Sequence, residues 1–206
     1  PSVGRSYRVR LPAFLLDEID AFITVPVPKI HAMTTYSGAV KNQWGCIPEP
    51  NDRLHLHPYF KEAVVAVNQA VKARFAIIDG RYGLDRSGPM KGDQVPLGWL
   101  CVTDDIGAGA RVACELMGIR LDDISHLRYA RKCGLVPELD EIALNEPLDP
   151  YRARPFHLRR VWTDYPGLLA FRSPALAHLA YFSRLARPLH WLLYRFREPF
   201  YEYGRK

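Results

Sequence analysis

The feature that most constrains this chain is a rhythm of short apolar runs, closed by proline or glycine and interleaved with amphipathic helical stretches. Residues 21–27 are apolar and β-branched, with Pro26 and Pro28 closing them. Such a run suits a buried strand of a parallel sheet, where both faces are covered and no polar alternation is needed. Residues 58–73 then set Phe60, Val64, Val67 and Val71 at helical spacing behind Pro58, the pattern of an amphipathic helix. Residues 75–78 read as a second short strand and residues 95–102 as a third. Between these two, residues 79–94 hold Gly80, Gly83, Gly88, Pro89 and Gly92, a loop in which backbone approaches a ligand closely. Asp104 and Asp105 stand where an N-cap belongs, ahead of a helix that stops at Gly118. Strands alternating with helices predict an α/β fold, a mostly parallel layered sheet with helices on its faces.

Charge divides the chain in two. Residues 1–145 carry 17 basic and 17 acidic side chains, whereas residues 146–206 carry 11 and 5, so the whole net charge of +6 falls in the second part. That second part also holds 13 of the 24 aromatic residues. The organisation predicted is an α/β domain over 1–145 followed by a basic, aromatic helical tail over 146–206, with any anionic partner of the net charge directed to the tail. Hydrophobic residues make up 48% and charged residues 24%, which excludes a disordered chain. Cys46, Cys101, Cys114 and Cys133 form no CxxC pair and no zinc-finger or ferredoxin spacing, so a closed metal site on cysteine is not expected. Neither a leader pattern nor an apolar run of spanning length is visible, and the expected location is cytoplasmic with reduced thiols.

Residues 28–48 concentrate the chemistry directly after the first strand. Open α/β sheets place ligands at the C-terminal ends of their strands. His31 stands there as a candidate acid/base or metal ligand, its ordinary pKa lying near neutrality; a hydrogen-bonded loop histidine is the structural alternative. Ser37 and Gly38 precede Lys41 and Asn42, so hydroxyl, free backbone N–H and ammonium are set to converge on a phosphate or carboxylate. A glycine turn with a solvated lysine would use the same residues. Asp79 is the candidate carboxylate for orienting ligand or metal, against the alternative of satisfying loop N–H groups. For Asp105, helix capping worth about 1 kcal/mol is the stronger reading. Inert packing is the better reading of Cys46, whose other role would be as thiolate or soft-metal ligand. His55 and His57 point the same way if extended, and with His31 they are candidates for a transition metal; surface histidines before a helix are the alternative.

Three stretches carry a resemblance: residues 28–48 (PKIHAMTTYSGAVKNQWGCIP), 79–92 (DGRYGLDRSGPMKG) and 103–118 (TDDIGAGARVACELMG). They resemble the family known as domain of unknown function 362, over much of residues 20–145. Members of that family carry roughly another hundred residues before the strand at 21–27. The resemblance therefore implies that strands of the sheet are supplied elsewhere, as a fragment's missing part or by a protein partner that completes the sheet. A second similarity is of spacing alone: His31, Ser37, Gly38 and Lys41 reproduce the H-x5-SG-xx-K arrangement of nickel-pincer lactate racemases. By that likeness His31 would transfer protons and Lys41 would anchor a nickel-type cofactor.

In the tail, Leu176, Leu179, Phe182, Leu189, Leu192 and Phe196 recur at helical steps, and Pro188 is the predicted break. With Trp191, several tyrosines and Arg184, Arg187 and Arg195, residues 173–203 suit an interfacial membrane helix, a partner's surface or the chain's own core. Nucleic acid is disfavoured, since no recognition motif accompanies the basic residues. The leading expectation is an enzyme-like protein that binds a small anion through His31, Lys41, Asn42 and Asp79. Its rival is a non-catalytic component of an assembly, peripheral at a membrane or docked on another chain.

Overall fold

A computed structural model describes residues 8–196. Five strands form one sheet: β1 (Ile23–Thr24), β2 (Lys29–His31), β3 (Thr35–Ser37), β4 (Phe75–Asp85) and β5 (Asp93–Thr103). β4 is its spine. On one side β1 and β2 lie end to end, both parallel to β4, with Thr24 opposite Ala76 and Lys29 opposite Leu84. On the other side β5 returns antiparallel through the short loop 86–92. β3 folds back antiparallel on β2, at the far edge from β5. Three strands thus run one way and two the other, and the α/β class read from the sequence holds.

β4 is longer than residues 75–78 because its glycines are packing positions rather than loop positions. A Cβ on Gly80 would lie 2.1 Å from the indole of Trp99, its neighbour across the ladder. Only a residue without a side chain lets that ring lie flat on the strand. Gly83 similarly makes room for Leu97 and Phe156.

Helices α1 (Phe14–Asp17), α2 (Ala39–Asn42), α3 (Pro50–Leu56), α4 (Phe60–Val71), α5 (Ile106–Leu116) and α6 (Ser125–Lys132) complete the residues before the tail. Asp105 caps α5, its carboxylate accepting the N–H groups of Gly107 and Ala108 at 2.7 and 2.9 Å. The main core joins Ile30, Ala76, Ile78 and Trp99 of the sheet to Phe60 and Val64 of α4, Ile106 and Ala110 of α5 and Leu127 of α6. A smaller cluster gathers Ile47, Leu56, Ala63 and Val67 around Trp44 and Cys46. Burial raises the Cys46 thiol's pKa, which favours the protonated thiol over the thiolate.

The expected burial of 21–27 on both faces is not found. Thr24, Pro26 and Pro28 point inward while Ile23, Val25 and Val27 are exposed. Helices cover the inner face of the sheet, and the outer face presents Ile23, Phe75, Leu100 and Val102 to solvent. The run is alternating in the fold although all but Thr24 of its members are apolar in the sequence.

Past residue 146 the chain first straps itself to the core. Ala153 N–H donates to the Leu116 carbonyl and Phe156 N–H to that of Met117, at 2.9 Å each. Asp85, 1% exposed, accepts the N–H groups of Arg86 and His157 and an Arg154 guanidinium N–H, each at 2.8 Å. Helices α7 (Tyr165–Ala170), α8 (Pro174–Tyr181) and α9 (Ala186–Phe196) follow. The break between α8 and α9 falls at 182–185 rather than at Pro188. Proline is tolerated in a first helical turn, where its missing N–H has no acceptor to lose, and Pro188 sits there in α9. Residues 197–203 of the predicted stripe lie outside the described residues.

Candidate functional site

β2, β3 and α2 form a compact strand–turn–strand–helix unit that brings the chemistry of residues 29–43 together. Gly38 separates β3 from α2. A Cβ there would lie 2.1 Å from the Tyr36 hydroxyl, so glycine lets the buried tyrosine curl over the turn. One helical turn later Lys41 reaches back, its Nζ donating to Ser37 Oγ at 3.5 Å. Ser37 is buried and Lys41 only partly exposed. Burial, reinforced by Lys29, pushes the Lys41 amine down to about 8. Among the described residues no carboxylate pairs with it.

Three imidazoles lie near enough to feel the charge of this amine. His31 is held down to about 2 by burial first, then by Lys41, His57, Lys29 and His126. His57 is lowered to about 4 and His126 to about 3, in both cases chiefly by burial, with Lys41 adding repulsion. All three are therefore neutral around pH 7. The His31 ring accepts the Met33 N–H on Nδ1 at 3.2 Å, which assigns its proton to Nε2 and makes that nitrogen a donor. His126 is fully buried, and neither ring nitrogen has a hydrogen-bond partner. The amide of Gln43, two residues after Lys41 and 1% exposed, is likewise without a partner on either atom. Buried polar atoms are nearly always bonded, so the His126 ring beside Lys41 holds a donor in reserve, while Gln43, two residues on, faces away from Lys41 in helical geometry. Phe60 ties the cluster together, its ring meeting His57 at 5.3 Å, His126 at 5.4 Å and Trp44 at 4.8 Å.

Other sequence candidates stand apart. Asn42 is exposed and spends its amide on Thr24 Oγ1 at 2.8 Å, fastening α2 to β1. Asp79 lies within β4, not at its end, on the outer face, where its carboxylate pairs with Arg81 at 2.8 Å. His55 and His57 are not extended but sit at the end of α3 and just after it, and aromatic rings of the tail cover both. His55 stacks on Phe182 and His57 on Phe171, each at a centroid separation of 3.8 Å. That geometry removes the basis for a shared metal with His31. Among the described residues no three His, Cys, Asp or Glu side chains are placed to hold a metal ion.

The glycine-bearing loop shapes a different cavity. About 590 Å³ lies between residues 86–93 and the segment 159–164, with Arg86, Lys91 and Arg159 on its walls beside Asp93 and Asp164. His31, Lys41 and His126 do not line it. His126 was not legible as a site residue, because a histidine in the first turn of an amphipathic helix carries no motif. Gln43 lay in plain view in the string KNQWG but has no chemistry of its own to flag it.

The family whose model is described as Domain of unknown function (DUF362) matches residues 5–115, more than half of the chain. The chain belongs to the DUF362 family. Its DUF362 match contains His31, Ser37, Lys41, Gln43 and His57, while His126 and the tail lie beyond it. Among curated proteins the chain is similar to the Thylakoid-associated protein sll1697 of Synechocystis sp. (strain ATCC 27184 / PCC 6803 / Kazusa). The two are 28% identical over 131 residues, which cover 61% of this chain and 41% of that relative. The chain thus spans less than half the length of the relative it matches. No solved structure matches. The spacing shared with nickel-pincer lactate racemases rests on four positions, and the DUF362 match adds nothing to it.

Proposed function

We propose that this DUF362 domain binds a small anion, a phosphate or carboxylate, on Lys41. One observation carries the reading: the Lys41 ammonium is largely withdrawn from water with Ser37 as its hydrogen-bond partner and no carboxylate beside it. Withdrawing a charge without a counter-charge is costly, and an incoming anion repays that cost. Ser37 Oγ–H and His31 Nε2–H are the neighbouring donors, with His126 in reserve. A histidine held near pKa 2 is a hydrogen-bond donor rather than a general base at neutral pH. Any proton transfer by His31 therefore requires the bound anion to raise its proton affinity.

The test is thermal unfolding and calorimetric titration of the full chain with inorganic phosphate and with L-lactate. Millimolar anion should raise the unfolding temperature of the wild type, and Lys41→Met should abolish the rise. His31→Gln, which keeps a donor near the Nε2 position, should bind more tightly than His31→Ala. Unaltered anion binding by Lys41→Met would refute the reading.

A second reading is association with a membrane surface through α9. Trp191 is 63% exposed, Tyr194 58% and Phe196 60% on this helix, which also carries Arg187 and Arg195. The similar protein from Synechocystis is named as thylakoid-associated. No helix of the described residues is long and apolar enough to cross a membrane, so the attachment proposed is interfacial.

A further inference from the structure

β5 is the outermost strand on its side of the sheet, and its edge is arranged to pair. Asp79 and Leu100 stand opposite each other in the β4–β5 ladder. The N–H of Asp79 nevertheless donates the other way, to the Pro26 carbonyl at 3.0 Å. Opposed residues of an antiparallel ladder are either bonded to each other or both turned outward. The N–H and C=O of Leu100 therefore point away from β4, and those of Val102, two residues on, do the same. Among the described residues no other backbone group bonds them.

The surroundings of this edge fit one kind of occupant. Pro96 blunts the first half of β5, a common protection of edge strands, but residues 97–103 carry no charge and no further proline. Beside them runs a groove of about 370 Å³, bounded by Val112 and Leu116 of α5 and by Ile142 and Leu148. On the opposite face of the same stretch Leu100 and Val102 are 63% and 62% exposed. Side chains of an added strand would alternate between that groove and the apolar outer face. Exposed acidic residues accompany this edge: Glu146 lines the groove and Asp104 directly follows β5.

We infer that the β5 edge accepts a strand from another polypeptide, an extended segment of alternating apolar residues bearing a Lys or Arg where it passes Asp104 and Glu146. A second copy of this chain is the poorer occupant. Its own β5 brings no cation to the acidic rim, only a further acid, Asp93. Pairing through backbone groups supplies the affinity, and the groove and rim supply the selection.

The experiment uses the full chain and a synthetic nine-residue peptide of alternating valine and threonine with lysine at both ends. Amide hydrogen exchange should slow at Leu100 and Val102 by about tenfold or more on adding peptide, with the chain still monomeric in sedimentation. Leu100→Pro removes an outward N–H at an edge position that tolerates proline, and should abolish the protection while the unfolding midpoint holds. Val102→Lys leaves the backbone intact and should weaken binding by charge repulsion, which keeps the test decisive if the proline variant fails to fold. Absence of protection at millimolar peptide, or protection indifferent to both substitutions, would overturn the inference. So would protection that arises from self-association of the chain.

Discussion

Lys41 and Asp85 are both charged groups withdrawn from solvent, and they differ in what surrounds them. Asp85 is fully answered by two backbone N–H groups and Arg154, and it fixes the start of the tail to the end of β4. Asp85→Ala leaves those donors without their acceptor and should lower the urea-unfolding free energy by about 3 kcal/mol. Among the described residues Lys41 has only Ser37. Lys41→Met should therefore stabilise the anion-free chain by about 1–3 kcal/mol at pH 7, because it removes a poorly solvated charge. Stability gained with function lost is the mark of a binding residue, and the same urea series with and without phosphate separates the two effects.

The tail behaves as two elements rather than one. α7 and α8 are docked, through Phe171 on His57, Phe182 on His55 and the buried Ala177. α9 instead overhangs an apolar cavity of about 540 Å³, with Leu189, Leu192 and Phe196 on its wall. Because Tyr181 stacks on Phe171, the ring that covers His57, and Phe182 covers His55, removing everything from residue 173 onward would disturb the candidate site, whereas changes confined to α9 should not. Trp191→Ala combined with Tyr194→Ala should weaken binding to phosphatidylglycerol vesicles by about tenfold. Added salt should weaken the wild type further by screening the arginines. Phosphate binding at Lys41 should be unchanged. Vesicle co-sedimentation checks this, and equal binding by the variant would assign the α9 aromatics to packing.

At the scale of the whole molecule the buried imidazoles set the acid limit. Their ordinary pKa of 6.5 is lowered to about 2, 4 and 3 for His31, His57 and His126. Above pH 6.5 neither folded nor unfolded chain binds these protons. Below it the unfolded chain takes them up and the folded chain does not, so the imidazole contribution to stability is complete above pH 6.5 and is lost as pH drops. Three protons at about 1.4 kcal/mol each give a slope approaching about 4 kcal/mol per pH unit. It eases near pH 4, where folded His57 begins to protonate. Urea midpoints at pH 7, 6 and 5 measure this, and His126→Leu should flatten the slope by about a third. The sequence by itself determined the α/β class, the helices α4 and α5, the capping role of Asp105 and the convergence of Ser37 and Lys41. Each of these follows from periodicity, from capping chemistry or from i, i+4 spacing, which are local. Only the tertiary structure decided that residues 21–27 are covered on one face, that Gly80 serves Trp99 rather than a loop, and that His126 joins Lys41. It likewise turned Asp79 outward, onto the bare face. Those outcomes depend on which elements become neighbours, and that is settled by burial of surfaces far apart in the chain.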